Sequence, residues 1–232
     1  MKNFHLSIWL LLVLSSRILA QEGNPFFSSA KTNFNSELAE IGMYKNAGNN
    51  ELILVSTRPW GIVKYVDAKE QHFFNYFSVD PINNKVSAFQ KSSNSKFNEG
   101  ALCFTPDGRT VFFTRNAKQK SKGTASYVLM LYYASVDNKG SWSNIQPVNF
   151  NNASYSVGHP AVTMDGKSLI FASDMPGGFG GTDLYTVDIE STGNFGTPVN
   201  LGQNINTSGN ELFPWFNMDN QLFFASNGRK GL

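Results

Sequence analysis

A segment that recurs along the chain constrains the fold more than any other feature of the sequence. Three copies align without gaps: EGALCFTPDGRTVFFTRN at Glu99–Asn116, VGHPAVTMDGKSLIFASD at Val157–Asp174 and ELFPWFNMDNQLFFASNG at Glu211–Gly228. Their equivalent aspartates lie 58 and 54 residues apart, at Asp107, Asp165 and Asp219. A fainter copy, EIGMYKNAGNNELILVSTR, occupies Glu40–Arg58. Periods of this size are typical of arrays and propellers, in which one structural unit is stacked repeatedly.

Each copy predicts a β-hairpin. The first strand is followed by TPDGR, TMDGK or NMDNQ, which predicts a type I turn and a left-handed residue in a three-residue connection. The aspartate suits the second central position of the turn. The next residue takes a positive φ, which suits glycine at Gly108 and Gly166 and is tolerated by asparagine at Asn220. The second strands TVFFTR, SLIFAS and QLFFAS are apolar at consecutive positions, which is typical of a strand covered on both faces.

Two further strands complete each predicted unit. The third reads SYVLMLYYASVD at Ser126–Asp137, TDLYTVDIE at Thr182–Glu190 and FNYFSVD at Phe74–Asp80. A fourth element follows in two of the copies, and each of these two elements contains the motif Pro-Val-Asn. Because proline fits only at a sheet edge, we expect the fourth strand to be the outer one. Four antiparallel strands per repeat describe a propeller blade, so the sequence predicts an all-β fold, a partial β-propeller over 39–232. The predicted blades are about 39–90, 97–149, 157–200 and, incomplete, 210–232.

The repeat resembles the WD40-like, TolB-type β-propeller repeat. That pattern is an apolar strand, Pro-Asp-Gly, an apolar strand ending in Ser or Thr, then Gly-Gly-x-Gly-Gly-x-Asp-hydrophobic-Tyr. The stretch MDGKSLIFASDMPGGFGGTDLYTVD matches it closely and ends with Gly180, Gly181, Asp183 and Tyr185. The GGFGGTDLY form is similar to repeats of outer-membrane-associated, peptidoglycan-linked proteins, which often carry a C-terminal outer-membrane-protein-A-type domain. The resemblance implies a propeller and a place in the bacterial envelope.

The sequence departs from that family in ways that affect the predicted ring. The copy at Glu99 continues with NAKQKSKGTASYVLML instead of the Gly-Gly pattern, and the last copy stops at SNGRKGL before a third strand. About three and a half blades are therefore predicted, fewer than the four to eight of a closed propeller. We expect the sequence to be a piece of a longer chain. We also expect the protein made from it alone to be poorly soluble or oligomeric, because an unpaired blade edge promotes aggregation.

The N-terminus predicts export. Residues 1–20, MKNFHLSIWLLLVLSSRILA, combine a lysine, a short apolar run and a final small residue, which is typical of a signal peptide and too short for a membrane span. Residues 21–38 are interpreted as a linker or leading strand. Signal removal takes Lys2 and Arg17 from the 19 basic residues, leaving 17 to match the 17 acidic ones. Charge therefore predicts neither nucleic acid nor an anionic membrane as a partner. The single cysteine, Cys103, excludes an internal disulfide and is predicted to be a buried, unreactive thiol.

Two glycine motifs could be mistaken for ligand sites. MDGKS resembles the end of a phosphate loop, but Ala161 stands where that loop requires glycine. The other two copies have Arg109 and Gln221 at the position of Lys167, so the lysine that a phosphate loop needs is not a feature of the repeat. The motif is therefore predicted to be a hairpin turn. In PGGFGGTD, Asp183 is the only carboxylate, whereas calcium takes several oxygen ligands. We expect Asp183 to accept hydrogen bonds from backbone N–H groups of the neighbouring turn, with a calcium or ligand role as the alternative.

Candidate catalytic groups are few. Ser156, His159 and Asp174 could supply a Ser/His/Asp set, but no G-x-S-x-G elbow accompanies them. No catalytic residue, metal or cofactor is predicted. The STRPWG stretch places Arg58 and Trp60 in one loop, a combination common at binding hot spots, and marks a possible interaction loop.

Two functions from different classes fit these observations. The first is a non-enzymatic exported scaffold that binds envelope proteins or cell-wall glycan, in the periplasm, at the outer membrane or at the cell surface. The alternative is the propeller portion of an exported, prolyl-oligopeptidase-like hydrolase whose catalytic domain lies beyond Leu232. The gene past that residue discriminates between them: a cell-wall-binding segment supports the first, and a G-x-S-x-G segment supports the second.

Overall fold

The structure, a computed structural model, describes residues 34, 36–46, 49–59, 73–89, 97–120, 127–191 and 193–230, and for 117–120 and 127 it describes the backbone alone. The predicted signal peptide, most of the linker at 21–38 and Trp60 lie outside these residues. The described chain contains fifteen β-strands and no helix, which confirms the all-β prediction. Accordingly, no membrane-spanning helix is found in this part of the chain.

The strands form four antiparallel sheets that follow one another along the sequence. Sheet 1 consists of β1 (Glu40–Lys45), β2 (Leu52–Ser56), β3 (Asn75–Asp80) and β4 (Lys85–Ala88). Sheet 2 consists of β5 (Glu99–Phe104), β6 (Thr110–Lys120), β7 (Tyr127–Val136) and β8 (Trp142–Pro147). Sheet 3 consists of β9 (Val157–Val162), β10 (Ser168–Ser173), β11 (Asp183–Ser191), β12 (Asn194–Phe195) and β13 (Val199–Asn200). Sheet 4 consists of β14 (Glu211–Phe216) and β15 (Leu222–Ser226).

The outer strands differ in regularity. Pro147 ends β8, which lies at the edge of sheet 2, so the edge position predicted from proline is confirmed. In sheet 3 the outer element is split into β12 and β13, which both pair with β11. The strand β4 was not recognised from sequence, because its KVSA segment has neither the Pro-Val-Asn motif nor a run of apolar residues.

The sheets stack in chain order. The first strands of the four sheets contact one another in the order β1, β5, β9 and β14. Each of them pairs with the second strand of its sheet in a register that contains an irregularity. Apolar clusters fill the spaces between successive sheets. Ile53 and Phe113 belong to the cluster between sheets 1 and 2, and Phe112 and Leu169 belong to the cluster between sheets 2 and 3. These interfaces hold the stack together, because burial of apolar area is the main favourable contribution to folding.

The prediction that the second strands of sheets 2, 3 and 4 are covered on both faces is correct for sheets 2 and 3 and wrong for sheet 4, and β2 of sheet 1, for which no such prediction was made, is covered as well. β2 and β10 are almost entirely buried, and so is the segment 111–115 of β6. In β15, by contrast, Phe223 is 48% exposed. The physical reason is that the described part of the chain covers only one face of sheet 4.

The hairpin connections differ in length by one residue. In sheets 2 and 3 the connection contains four residues, because Thr105 pairs with Thr110 and Thr163 with Ser168. The three-residue prediction is wrong there, because the threonine hydroxyl accepts the N–H of the residue that closes the loop. In sheet 4, Asn217 pairs with Gln221 and the connection has the predicted three residues.

Candidate functional site

The Asp-Gly motifs form equivalent corners in sheets 2 and 3. Asp107 Oδ1 accepts the Thr105 hydroxyl at 2.6 Å and the N–H of residue 109 at 3.1 Å. Asp165 Oδ1 accepts the Thr163 hydroxyl and the N–H of residue 167 at the same two distances. The threonine hydroxyls hold the pKa of both carboxyls below the usual range. Gly108 and Gly166 follow with φ of 70° and 74°, a conformation that glycine adopts without strain.

The third corner keeps the positive φ but has a connection one residue shorter and different side chains. Asn220 has φ of 58°, and its N–H donates to the Asn217 carbonyl at 3.0 Å. Asn217 Oδ1 accepts the N–H groups of Asp219 and Gln221, at 3.0 and 2.8 Å. Asn217 thus accepts the N–H of the residue that closes the loop, as the hydroxyls of Thr105 and Thr163 do in the other two corners.

The three corners are neighbours at one end of the stack, here called the turn face. A Cβ built on Gly166 lies 3.6 Å from Pro106 Cδ, and the Met164 N–H donates to Asn220 Oδ1 at 3.0 Å. A cleft of about 320 Å³ separates the corners of sheets 2 and 3. Its lining includes Asp107, Asp165, Phe112 and Tyr133. Both carboxylates already accept hydrogen bonds within their own turns, so the cleft resembles a joint between corners more than a reactive centre.

The GGFGG loop lies at the opposite end of the stack, here called the loop face, where second strands connect to third strands. Buried Asp183 organises this loop. Its Oδ2 accepts the Phe179 N–H at 2.6 Å, and its Oδ1 accepts the Gly180 N–H at 3.1 Å. Asn200, from the Pro-Val-Asn motif, donates its Nδ2 to Oδ2 at 2.8 Å. The carboxylate therefore receives three N–H donors from its own sheet.

Gly180 and Gly181 allow the loop to contact sheet 4. The Gly181 N–H donates to the Gly209 carbonyl at 2.8 Å, and the Glu211 N–H donates to the Thr182 carbonyl at 2.7 Å. A Cβ at Gly180 would lie 2.3 Å from the Gly209 carbonyl oxygen. The glycines thus permit close packing of two backbones, and the loop joins sheet 3 to sheet 4.

Replacing Gly180 with alanine is expected to destabilise this joint by about 1–3 kcal/mol, because the new methyl group meets backbone atoms that cannot rotate away. Thermal unfolding measures the loss, and hydrogen exchange at the Gly181 and Glu211 amides shows its location. Gly196→Ala is the matched control, since its nearest contact is an ordinary 3.7 Å to Asp188 Cβ. Equal stability of the two variants would contradict this account of the glycines.

Tyr185 completes the motif. Its hydroxyl donates to the Met175 carbonyl at 3.3 Å, and its ring stacks on Phe171 with centroids 5.9 Å apart. Burial raises the pKa of Tyr185. The tyrosine therefore fastens the start of the loop to the apolar cluster between sheets 2 and 3.

The residues of the suggested Ser/His/Asp set do not form a triad. Asp174 Oδ1 accepts the backbone N–H of Ser156 at 2.6 Å, whereas His159 stacks on Phe213 with centroids 4.0 Å apart. No hydrogen bond joins His159 to Ser156 or Asp174. Burial lowers the pKa of His159 to about 4. Within the described ranges, no group of three or more His, Cys, Asp or Glu side chains could hold a metal ion.

Cys103 and Arg58 are both engaged inside the fold. Cys103 packs, half-buried, against the cluster around Phe112, and burial raises the pKa of its thiol. Arg58 Nη2 lies 2.6 Å from Glu40 Oε1 and also donates to the Phe34 carbonyl. The interaction loop at Arg58 and Trp60 stays a prediction, because Trp60 is outside the described residues.

Several structural side chains were missed from sequence. Asn151 and Asn206 each clamp one residue of a third strand, accepting its N–H and donating to its carbonyl: Leu131 at 2.9 and 2.7 Å, and Leu184 at 2.8 and 2.9 Å. The available signal was an asparagine a few residues after each Pro-Val-Asn motif. Because Asn151 and Asn206 lie at different distances from their motifs, the sequence did not show that they are equivalent.

Buried Glu211 was also missed. It accepts hydroxyl hydrogen bonds from Thr207 and Ser226, both at 2.6 Å. Burial pushes the pKa of Glu211 upward, but the hydrogen bonds from Ser226 and Thr207 outweigh it and leave the pKa lowered. The glutamates that begin three of the aligned copies were the signal for these buried carboxylates.

Comparison with known proteins gives a likeness in structure. No protein-family model and no curated protein matches the sequence. Among solved structures, a TolB from Agrobacterium tumefaciens, described as putative, matches with a TM-score of 0.52 and 13% identity, covering 82% of this chain and 55% of its own. TolB from Acinetobacter baumannii matches with a TM-score of 0.50 and 16% identity, covering 84% and 39%. The fold is a TolB-type β-propeller.

The TolB-type fold explains why the sheets stack in chain order around their first strands. This chain spans about half or less of the two TolB structures it matches. A puromycin hydrolase matches with a TM-score of 0.43 and 11% identity, covering 80% of this chain and 34% of its own. At that level the likeness supports no functional assignment.

Proposed function

We propose that this chain is a non-enzymatic interaction scaffold of the bacterial envelope, and that its loop face binds an envelope protein. The proposal draws on the signal-like N-terminus, the resemblance of the repeat to envelope proteins and the TolB-type propeller fold. Propellers suit this role because their loops are displayed on a rigid core.

The observation that carries the proposal is the display of Phe179. The side chain is 43% exposed at the tip of the GGFGG loop. The loop beneath it is fixed by the three hydrogen bonds to Asp183 and by the backbone contacts with sheet 4. An aromatic side chain held on an ordered loop loses little conformational freedom on binding, which is the property of an interface anchor.

The acidic groups of the repeated motifs support a structural role. Asp107, Asp165 and Asp183 each accept two or more hydrogen bonds within their own sheets. A general base or nucleophile instead needs a group directed at a substrate. The hydrolase alternative remains a prediction from the sequence, since its catalytic domain would lie outside these residues.

The location within the envelope follows from the same reasoning. The signal-like sequence at 1–20 supports export to the periplasm, the outer membrane or the cell surface. The chain that removal of residues 1–20 would leave is near-neutral, which favours no general attraction to anionic lipid. We therefore propose a protein partner, with cell-wall glycan as the competing ligand.

The test is cross-linking in cells followed by purification of the tagged protein from envelope extracts. Phe179→Ala is expected to weaken recovery of the partner, because loss of a hot-spot anchor costs about 2 kcal/mol or more, roughly 30-fold in affinity. Ile82→Ala is the matched control: Ile82 is 87% exposed but lies on the turn face between β3 and β4. Recovery of no protein above background, or equal loss with both variants, would contradict the proposal.

A further inference from the structure

Two stacked rings join the first strands of sheets 3 and 4. His159 on β9 and Phe213 on β14 have ring centroids 4.0 Å apart and ring planes inclined by 17°. Each is the third residue of its strand and is followed by a proline. The backbone N–H of His159 also donates to Thr114 Oγ1 of sheet 2 at 2.9 Å. The contact among His159, Phe213 and Thr114, here called the histidine joint, therefore connects three successive sheets.

The backbone at both rings has an uncommon conformation. His159 has φ of 51° and Phe213 has φ of 52°, in the left-handed region that residues with a side chain rarely adopt. At this point each strand also has an irregular register against the second strand of its sheet. Such conformations persist only where surrounding contacts hold them. Separation of the two rings would therefore remove a contact that helps to hold both strands in this shape.

The imidazole of His159 is suited to the neutral state alone. Its Nδ1 is buried and has no hydrogen-bond partner among the described residues. A neutral ring tolerates this arrangement, because its single proton can lie on Nε2 while Nδ1 is an acceptor without a hydrogen. Protonation would place a donor and a positive charge at a buried atom that has no acceptor beside it, which is costly. The face of the Phe213 ring attracts a cation but does not replace that acceptor.

The charged groups around the ring do not compensate for the extra proton. The strands that pack closely on β9 are β5, β6, β7, β10 and β14. Their described ionisable side chains are Glu99, Cys103, Arg115, Tyr132, Tyr133 and Glu211, with none on β10. Glu99 is paired with Arg115, and Glu211 accepts hydroxyl hydrogen bonds from its own sheet. Burial is therefore the cause that lowers the pKa of His159 to about 4.

We propose that the histidine joint is an acid-sensitive switch, in which protonation of His159 separates its ring from Phe213 and opens sheet 4 from sheet 3. Above the ordinary histidine pKa of about 6.5 the ring is neutral in the open and the closed joint, so the joint has its full stability. Below that pH the open joint binds a proton that the closed joint does not accept until about pH 4. The ratio of open to closed joint is therefore expected to increase roughly 30-fold between pH 7.5 and pH 5. This inference does not depend on the proposed function of the loop face.

The test is amide hydrogen exchange of the wild type and of His159→Phe at pH 7.5 and pH 5, corrected for the intrinsic pH dependence of exchange. Phenylalanine keeps a stacking ring and cannot bind a proton, and Phe213 shows that it fits the same backbone conformation. The reporters are the amides of Gly181 and Glu211, which donate to carbonyls across the junction of sheets 3 and 4. The amides of β2, in sheet 1, are the internal reference.

In the wild type, opening at the two reporter amides is expected to increase roughly 30-fold at the lower pH, while β2 is unchanged. In His159→Phe the reporters are expected to change by less than about 3-fold. The same increase in both proteins overturns the proposal, because another group would then be the one that binds the proton. An equal increase on β2 also overturns it, because acid would then act on the whole fold.

A second measurement uses the wild type alone and covers a His159→Phe variant that does not fold. Deuterium exchange at the imidazole Cε1–H, followed by mass spectrometry over a pH series, measures the pKa of His159 in the folded protein. A ring that stays mostly neutral at pH 5 supports the proposal. A ring that is half-protonated near the ordinary histidine pKa overturns it, because the closed joint would then bind the proton as readily as the open one.

Discussion

Replacing Glu99 with alanine is expected to lower the free energy of unfolding by about 3–5 kcal/mol, because it leaves a buried guanidinium without its counter-ion. Glu99 and Arg115 are directly opposite each other on β5 and β6, and both side chains are buried. Arg115 Nη2 and Nε donate to Glu99 Oε1 at 2.9 and 3.1 Å. The guanidinium also lies 5.1 Å from the Phe113 ring centroid and 5.4 Å from that of Tyr132.

The double variant Glu99→Ala/Arg115→Met is the control for this prediction. Removing both charges leaves no buried ion, so the double variant is expected to be more stable than Glu99→Ala alone. Chemical denaturation of the three proteins supplies the comparison. A single variant as stable as the wild type would show that the pair is not buried as described.

Replacing Asp183 with alanine is expected to destabilise the propeller by about 3 kcal/mol, since two backbone N–H groups and the Asn200 amide lose their charged acceptor. The loss combines weaker folding of the GGFGG loop with a weaker joint to sheet 4. Because that loop also displays Phe179, the variant is expected to bind the proposed envelope partner less well at temperatures where it remains folded.

Asp188→Ala is the matched control for the Asp183 variant. Asp188 lies on the same strand, β11, but is exposed. Its replacement is expected to change the free energy of unfolding by less than about 0.5 kcal/mol, as is usual for surface substitutions. Comparable losses for the two aspartates would mean that the hydrogen bonds of Asp183 do not stabilise the loop.

The part of the fold that could be predicted from sequence is the part set by local backbone chemistry. Asp-Gly after an apolar strand identified the corners at Gly108 and Gly166, since a positive φ favours few residue types. Proline identified the edge position of β8. The Asp-Gly and proline signals depend on only a few neighbouring residues. The structure predicted for one copy of the repeat could therefore be applied to the other copies.

Features that depend on side chains distant in sequence were not predicted. The Asn206 clamp reaches 22 residues back to Leu184, and Glu99 reaches 16 residues forward to Arg115. The extra residue in two of the connections depends on the hydroxyl of Thr105 or Thr163, which replaces a backbone acceptor. Asparagine and threonine are common in turns of every kind, so their presence alone did not reveal these roles.

The central claim is that the Asp-Gly and Gly-Gly clusters are corners and joints of successive sheets, shaped by backbone geometry. Thermal unfolding of the wild type and Asp183→Ala, with calcium and with a chelator, tests it most directly. The account predicts the same decrease in melting temperature in both conditions. A decrease seen only with calcium present would make Asp183 a metal ligand and contradict the claim.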